Sequence, residues 1–157
     1  MATTYETASY KGSQAVTRPQ AGYVELCSAP EDLAIGTVIN DVYKFFKLPR
    51  GAKLLGAYIE HEEIDSHATP ALSISMIITD GTTTYTPIAA YTGASAAGYV
   101  DTESATYGQQ AGWRGKVLGT ESFYVCLKAV AAAATVVTTG NVQVGIKYTT
   151  DVQTYNS

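Results

Sequence analysis

Apolar and polar residues alternate in short bursts along this chain, and turn-forming residues separate the bursts. Leu72-Ser-Ile-Ser-Met-Ile-Ile-Thr79 sends Leu72, Ile74 and Met76 to one side and Ser73 and Ser75 to the other. That period of two is what a half-buried strand requires. Asp80-Gly81 follows, then Thr82-Thr-Thr-Tyr-Thr-Pro-Ile88, and a strand, Asp-Gly and a Thr/Tyr-rich strand together predict a hairpin. Pro87 lacks the N–H that a ladder needs, so it places the end of the second strand at an edge or a bulge. Asn141-Val-Gln-Val-Gly-Ile-Lys-Tyr-Thr149 alternates in the same way, with Val142, Val144, Ile146 and Tyr148 inward and Gln143, Gly145 and Lys147 outward. Further strands are predicted at Val24-Glu-Leu-Cys27 and at Phe123-Tyr-Val-Cys-Leu-Lys-Ala-Val130.

Between Ile35 and Leu48 the period is ambiguous, because Ile35, Val38, Ile39, Val42, Phe45 and Phe46 also fit a helical stripe. The residues are β-branched and aromatic, Asn40-Asp41 signals a turn, and Pro49 stops the run, which favours a strand over 42–48. Pro49-Arg50-Gly51 then reads as a tight connection, with 52–60 as the returning strand. Two stretches lack any period. Residues 1–23 carry Tyr5, Tyr10 and Tyr23 in a polar background and read as an extended N-terminal arm, either free or ordered by lying on a neighbour. Residues 89–115 read as one long loop holding Trp113; such loops inside a compact domain are usually functional. Short strands, frequent turns and no convincing helix predict an all-β fold, a single-domain β-sandwich of jelly-roll-like type over residues 24–157.

Composition narrows the function classes. A chain of 157 residues fits one domain with its own core. A net charge of −4 opposes general nucleic-acid binding, whose affinity comes from cations neutralising phosphates. The longest apolar run, at 129–137, is far below membrane-spanning length. The N-terminus lacks the charged and apolar regions of a secretory signal, so synthesis in a cytosol is expected. Cys27 and Cys126 lie in strand-like segments without metal-ligand spacing, and read as reduced, buried thiols ahead of a disulfide.

One cluster has the residue types of a site: Glu60-His61-Glu62-Glu63-Ile64-Asp65-Ser66-His67. Kept extended, it would project His61, Glu63, Asp65 and His67 from one face, a ligand set for a divalent ion. The same parity carries Leu55, Ala57 and Ile59, so that face would also be the core face. A strand end running into a solvated turn is the reading preferred, with no metal and no cofactor. No serine elbow, phosphate loop or thiol–imidazole arrangement accompanies it, so no enzyme is expected. Lys44, Lys47, Arg50 and Lys53 place four of the chain's ten basic residues around KFFKLPRGAK. If Phe45 and Phe46 point inward, the cations sit on a solvated or partner-facing rim instead of a nucleic-acid platform.

Asn40-Asp41-Val42 running into Lys47-Leu-Pro-Arg-Gly-Ala-Lys-Leu-Leu55, the pair LSISMIITDG and TTTYTPIAAYT, and the closing VQVGIKYTTD resemble elements of small head decoration (cement) proteins of tailed bacteriophages. The likeness spans 38–90 and 117–152. It implies a jelly-roll-like fold, no catalytic residues and a virion location on the capsid exterior after synthesis in the host cytoplasm. It further implies binding to the lattice of major capsid protein, bridging neighbouring subunits, as a homo-oligomer (dimer or trimer) without membrane or nucleic-acid partners. On that reading Tyr5, Tyr10, Lys44, Lys47, Arg50, Lys53 and Trp113 are the expected partner contacts. A tail or fibre component would give the same strand signals. A carbohydrate-binding module would instead use Trp113 and nearby tyrosines as a stacking platform.

Overall fold

A computed structural model of the chain describes residues 2–7, 16–20, 23–32, 34–35, 38–93, 95–108, 112–119, 123–135 and 140–150. Its strands are β1 (Thr4–Glu6), β2 (Val16–Gln20), β3 (Tyr23–Cys27), β4 (Glu31–Asp32), β5 (Val42–Lys47) and β6 (Ala52–His61). They continue with β7 (Ser73–Thr79), β8 (Thr84–Tyr91), β9 (Gly98–Asp101), β10 (Tyr124–Ala131) and β11 (Asn141–Thr150). No helix occurs among the described residues. Sheet A has the order β1-β5-β10-β7-β8 and sheet B the order β2-β3-β11-β6-β9, with β4 also on β11. Without β1, β2 and β4, eight strands remain. One sheet then holds the first, eighth, third and sixth of them, the other the second, seventh, fourth and fifth. That is a jelly roll, the double-sheet solution that leaves few free edges.

The inner faces meet in one core. Phe45, Leu54, Ile59, Ile74, Met76, Ile78, Ile88, Val125, Leu127, Val142, Val144 and Ile146 are all 0% exposed. Phe45 and Phe46 are both buried although they are adjacent, which a regular strand forbids. Cys126 pairs with Lys44 and Val125 with Phe46, so Phe45 is the extra residue of a β-bulge. The bulge turns both rings inward and leaves Lys44 on the outer face. Pro49-Arg50-Gly51-Ala52 closes with an Ala52 N–H to Pro49 carbonyl bond of 3.3 Å, and Gly51 sits at φ 80°. A glycine is what a type II turn needs there. At the other hairpin the Asp80 carboxylate accepts the N–H groups of Thr82 and Thr83 at 2.9 and 2.6 Å. Pro87 lies in edge strand β8, where the β7–β8 register slips between Met76–Ile88 and Ile78–Tyr85.

Three expectations change. Within residues 1–23, Thr4–Glu6 and Val16–Gln20 are ladder strands, since β1 runs parallel to β5 and β2 antiparallel to β3. The stretch 89–115 contains β9, paired along β6, because Tyr99 and Val100 are strand formers that the surrounding glycines and serines conceal. Trp113, expected on the surface, is 1% exposed and belongs to the core. Residues 115–118 hydrogen-bond along β6 beyond β9, with Leu54 N–H to Lys116 carbonyl at 2.9 Å, and this drapes the loop so that its indole is covered. Cys27 and Cys126 are free and buried; burial pushes the Cys126 thiol up to about 12, against the opposing pull of Lys44.

Candidate functional site

The expected contact residues separate in space. Lys47, Arg50 and Lys53 are exposed around the β5–β6 turn, and exposed Lys116 joins them because Val117 bridges to Lys53. Lys44 does not belong to this group: its ammonium lies 4.5 Å from the centre of the Tyr124 ring on the outer face of sheet A. Tyr5 stacks on Tyr43 with ring centres 4.9 Å apart. The strand that carries it is tied down by the Thr3 N–H, which donates to the buried Asp41 carboxylate at 2.8 Å. Tyr10 lies outside the described residues. Trp113, being buried, offers no face to a ligand or a partner.

The acidic cluster divides just as sharply. Glu60, Glu62 and Glu63 are exposed at the far end of β6, whereas His61 points into the sandwich. Its Nδ1–H donates to the Glu62 carbonyl at 2.7 Å, which leaves Nε2 to accept the Tyr91 hydroxyl at 2.9 Å. Burial lowers the His61 pKa, partly offset by that carbonyl, so the ring is held neutral. Asp65 is 0% exposed. Its Oδ2 accepts the N–H groups of Ala71, Leu72 and Ala134, and its Oδ1 those of Thr135 and His67, at 2.8–3.3 Å. Burial pushes this carboxyl up, yet the N–H groups of Thr135, Ala134, Leu72 and Ala71 outweigh it and hold it well below its ordinary 3.8. The lone pairs a metal would use are thus occupied. Among the described residues no group of three or more His, Cys, Asp or Glu is arranged to hold an ion.

A feature the sequence reading missed lies on the outer face of sheet B. Gly56 and Tyr58 of β6, Tyr99 and Asp101 of β9, Tyr23 of β3 and Lys147 of β11 bound a trough of about 230 Å³. Cross-strand register brings them together: Tyr58 faces Asp101 and Gly145, and Lys147 faces Gly56 and Glu25. Tyr58 lies flat across Gly145, where a Cβ would overlap its ring. Tyr99 stacks on it at 5.6 Å and stays 56% exposed. The Tyr58 hydroxyl is raised by burial and by its neighbours Cys27 and Glu25, so it stays protonated as a donor. Lys147 reaches over Tyr23 at 5.9 Å. The signal was present in the outward parity of Gly56, Tyr58 and Glu60, but nothing local says that β9 and β3 place further tyrosines beside them.

No protein-family model matches the chain, and no curated protein matches it. Solved structures do. A chain from the capsid of Ralstonia phage GP4 is similar with a TM-score of 0.69 at 16% identity, over 95% of this chain and 99% of that one. A chain from the capsid asymmetric unit of cyanophage Pam1 is similar with a TM-score of 0.53 at 21% identity, over 89% of each. The jelly roll described above is therefore a fold found in phage capsids.

Proposed function

We propose that this chain is a structural virion protein that binds the outside of an assembled capsid and bridges neighbouring major capsid proteins, as a decoration or cement protein does. The observation that carries the reading is the end-to-end likeness to a capsid chain, 95% of one covering 99% of the other. His61 and Asp65 are committed to internal bonds, so the one cluster with the residue types of a site is structural.

Binding only the assembled lattice stabilises that state by mass action, about 2.7 kcal/mol per site at a concentration 100 times the dissociation constant. Lys47, Arg50, Lys53 and Lys116 form the end that meets acidic capsid surface. Tyr5, docked at the edge of sheet A, adds a further contact, and a symmetric dimer or trimer fits repeated lattice sites. The test is co-sedimentation of the purified chain with particles that lack it. Saturable binding that weakens with salt, and release of a still-folded chain, are expected; failure to co-sediment at any salt, or location in the tail, refutes the proposal.

A further inference from the structure

We propose that the trough on the outer face of sheet B is a saccharide site that takes one pyranose ring of an oligosaccharide. This goes beyond the capsid reading and stands without it. Gly56 carries the inference. It occupies the interior of β6, where a glycine weakens a strand and marks close approach by a ligand or another backbone. It is not among the glycines at positive φ. The β6–β11 bulge falls at Leu55, between the pairs Gly56–Lys147 and Leu54–Tyr148. A Cβ at Gly56 would meet Thr102 Oγ1 at 3.5 Å and the Lys147 side chain at 3.6 Å, which are ordinary contacts. Neither backbone nor packing asks for a glycine here. A side chain at this position would fill the floor of the trough.

The walls say what the open space accepts. Tyr99 presents an exposed ring face, backed by Tyr58 and so held rigid. Aromatic faces take flat apolar surfaces, such as the C–H face of a sugar ring, at little conformational cost. The lining carries both signs: Lys147 stands against Asp101, and Glu103 is paired with Arg114 at 2.6 Å, while Glu25 faces Lys147 beside Tyr58 and Glu60 lies beside Tyr99. A cationic side chain would meet Lys147, and an anion would meet Asp101. A neutral ligand carrying both donors and acceptors matches both. A volume of about 230 Å³ holds one ring.

The test uses the full isotope-labelled chain, titrated with glucose, galactose and N-acetylglucosamine and with their linear oligomers, followed by amide chemical shifts. Shifts confined to the backbone around Gly56, Tyr58, Tyr99, Thr102 and Lys147 are expected, with dissociation constants in the millimolar range for a ligand of this size. Oligomers should bind tighter than single sugars. Gly56→Ala, whose methyl meets only ordinary contacts, should lower affinity about three-fold or more while the melting temperature is kept. Tyr99→Ala, at an exposed position, should do the same. No shift with any sugar, unchanged affinity in Gly56→Ala or in Tyr99→Ala, or a response to free arginine in place of sugars would overturn the proposal.

Discussion

Replacing Asp65 by alanine removes the acceptor from five backbone N–H groups at once, and the structure lets the cost be worked out. Ala71, Ala134, Thr135 and His67 are exposed, so water reaches their N–H groups once the carboxylate is gone. The Leu72 N–H is buried and stays dry. About 1–3 kcal/mol for the one dry donor and about 0.5 kcal/mol for each of the four wetted ones gives about 3–5 kcal/mol. In a domain of this size that lowers the melting temperature by about 6–20 °C. Asp65→Asn keeps the shape but turns an NH2 group toward donors, so it should lose most of the same amount. The sign of the pH dependence follows from the depressed carboxyl. Its stabilisation is present above the ordinary 3.8 and is lost as pH falls below it. The gap between wild type and Asp65→Ala should therefore be full at neutral pH and narrow progressively as pH falls below about 4. The assays are thermal melts and urea titrations across that range. A variant melting within about 2 °C of wild type at neutral pH would mean that the carboxylate does not join the 65–72 and 134–135 segments, and the reasoning fails.

His61 is held neutral by burial, so wild-type stability should fall as pH drops below 6.5, by at most about 1.4 kcal/mol per pH unit; urea titrations of His61→Gln should lack that slope. Gly145→Ala puts a methyl into the Tyr58 ring and should cost about 1–3 kcal/mol, seen as a lowered urea midpoint. Reversing Lys47, Arg50 and Lys53 to glutamate should weaken co-sedimentation with particles most at low salt, while circular dichroism and the melt of the isolated chain stay unchanged.

Where a strand's position depends on alternation and turn chemistry, the sequence was readable: 42–47, 52–61, 73–79, 124–131 and 141–150 all lie where apolar parity and Pro-Arg-Gly or Asp-Gly turns put them. What escaped is what depends on distant partners. β9 is four residues long and is a strand only because β6 offers it an edge. Trp113 looked like a loop tip because nothing near it in sequence reveals that 115–118 runs along Leu54 and folds the indole inward. Asp65 sat in a run of acids that solvates well on average, and its five donors come from segments as far as 70 residues away. Lys44 was grouped with its neighbours in sequence, yet the bulge at Phe45 turns it onto Tyr124.

The same arrangement gives the molecule an electrical axis. β6 begins at Ala52, beside Lys53, Arg50, Lys47 and Lys116, and ends at His61, beside the exposed Glu60, Glu62 and Glu63. Asp32 joins the acidic end through its pairing with Asn141. Ten residues at about 3.3 Å each separate the two ends by about 30 Å, several times the screening length of about 8 Å at physiological salt. The acidic end therefore cannot neutralise the basic one, and a net charge of −4 does not describe what an approaching surface meets. A surface of one charge sign would attract one end and repel the other, so the chain would be turned before any apolar contact forms. Orientation of this kind needs neither a pocket nor a catalytic group. It needs only a rigid strand long enough to hold opposite charges apart, and β6, paired to β11 along its length, is such a strand.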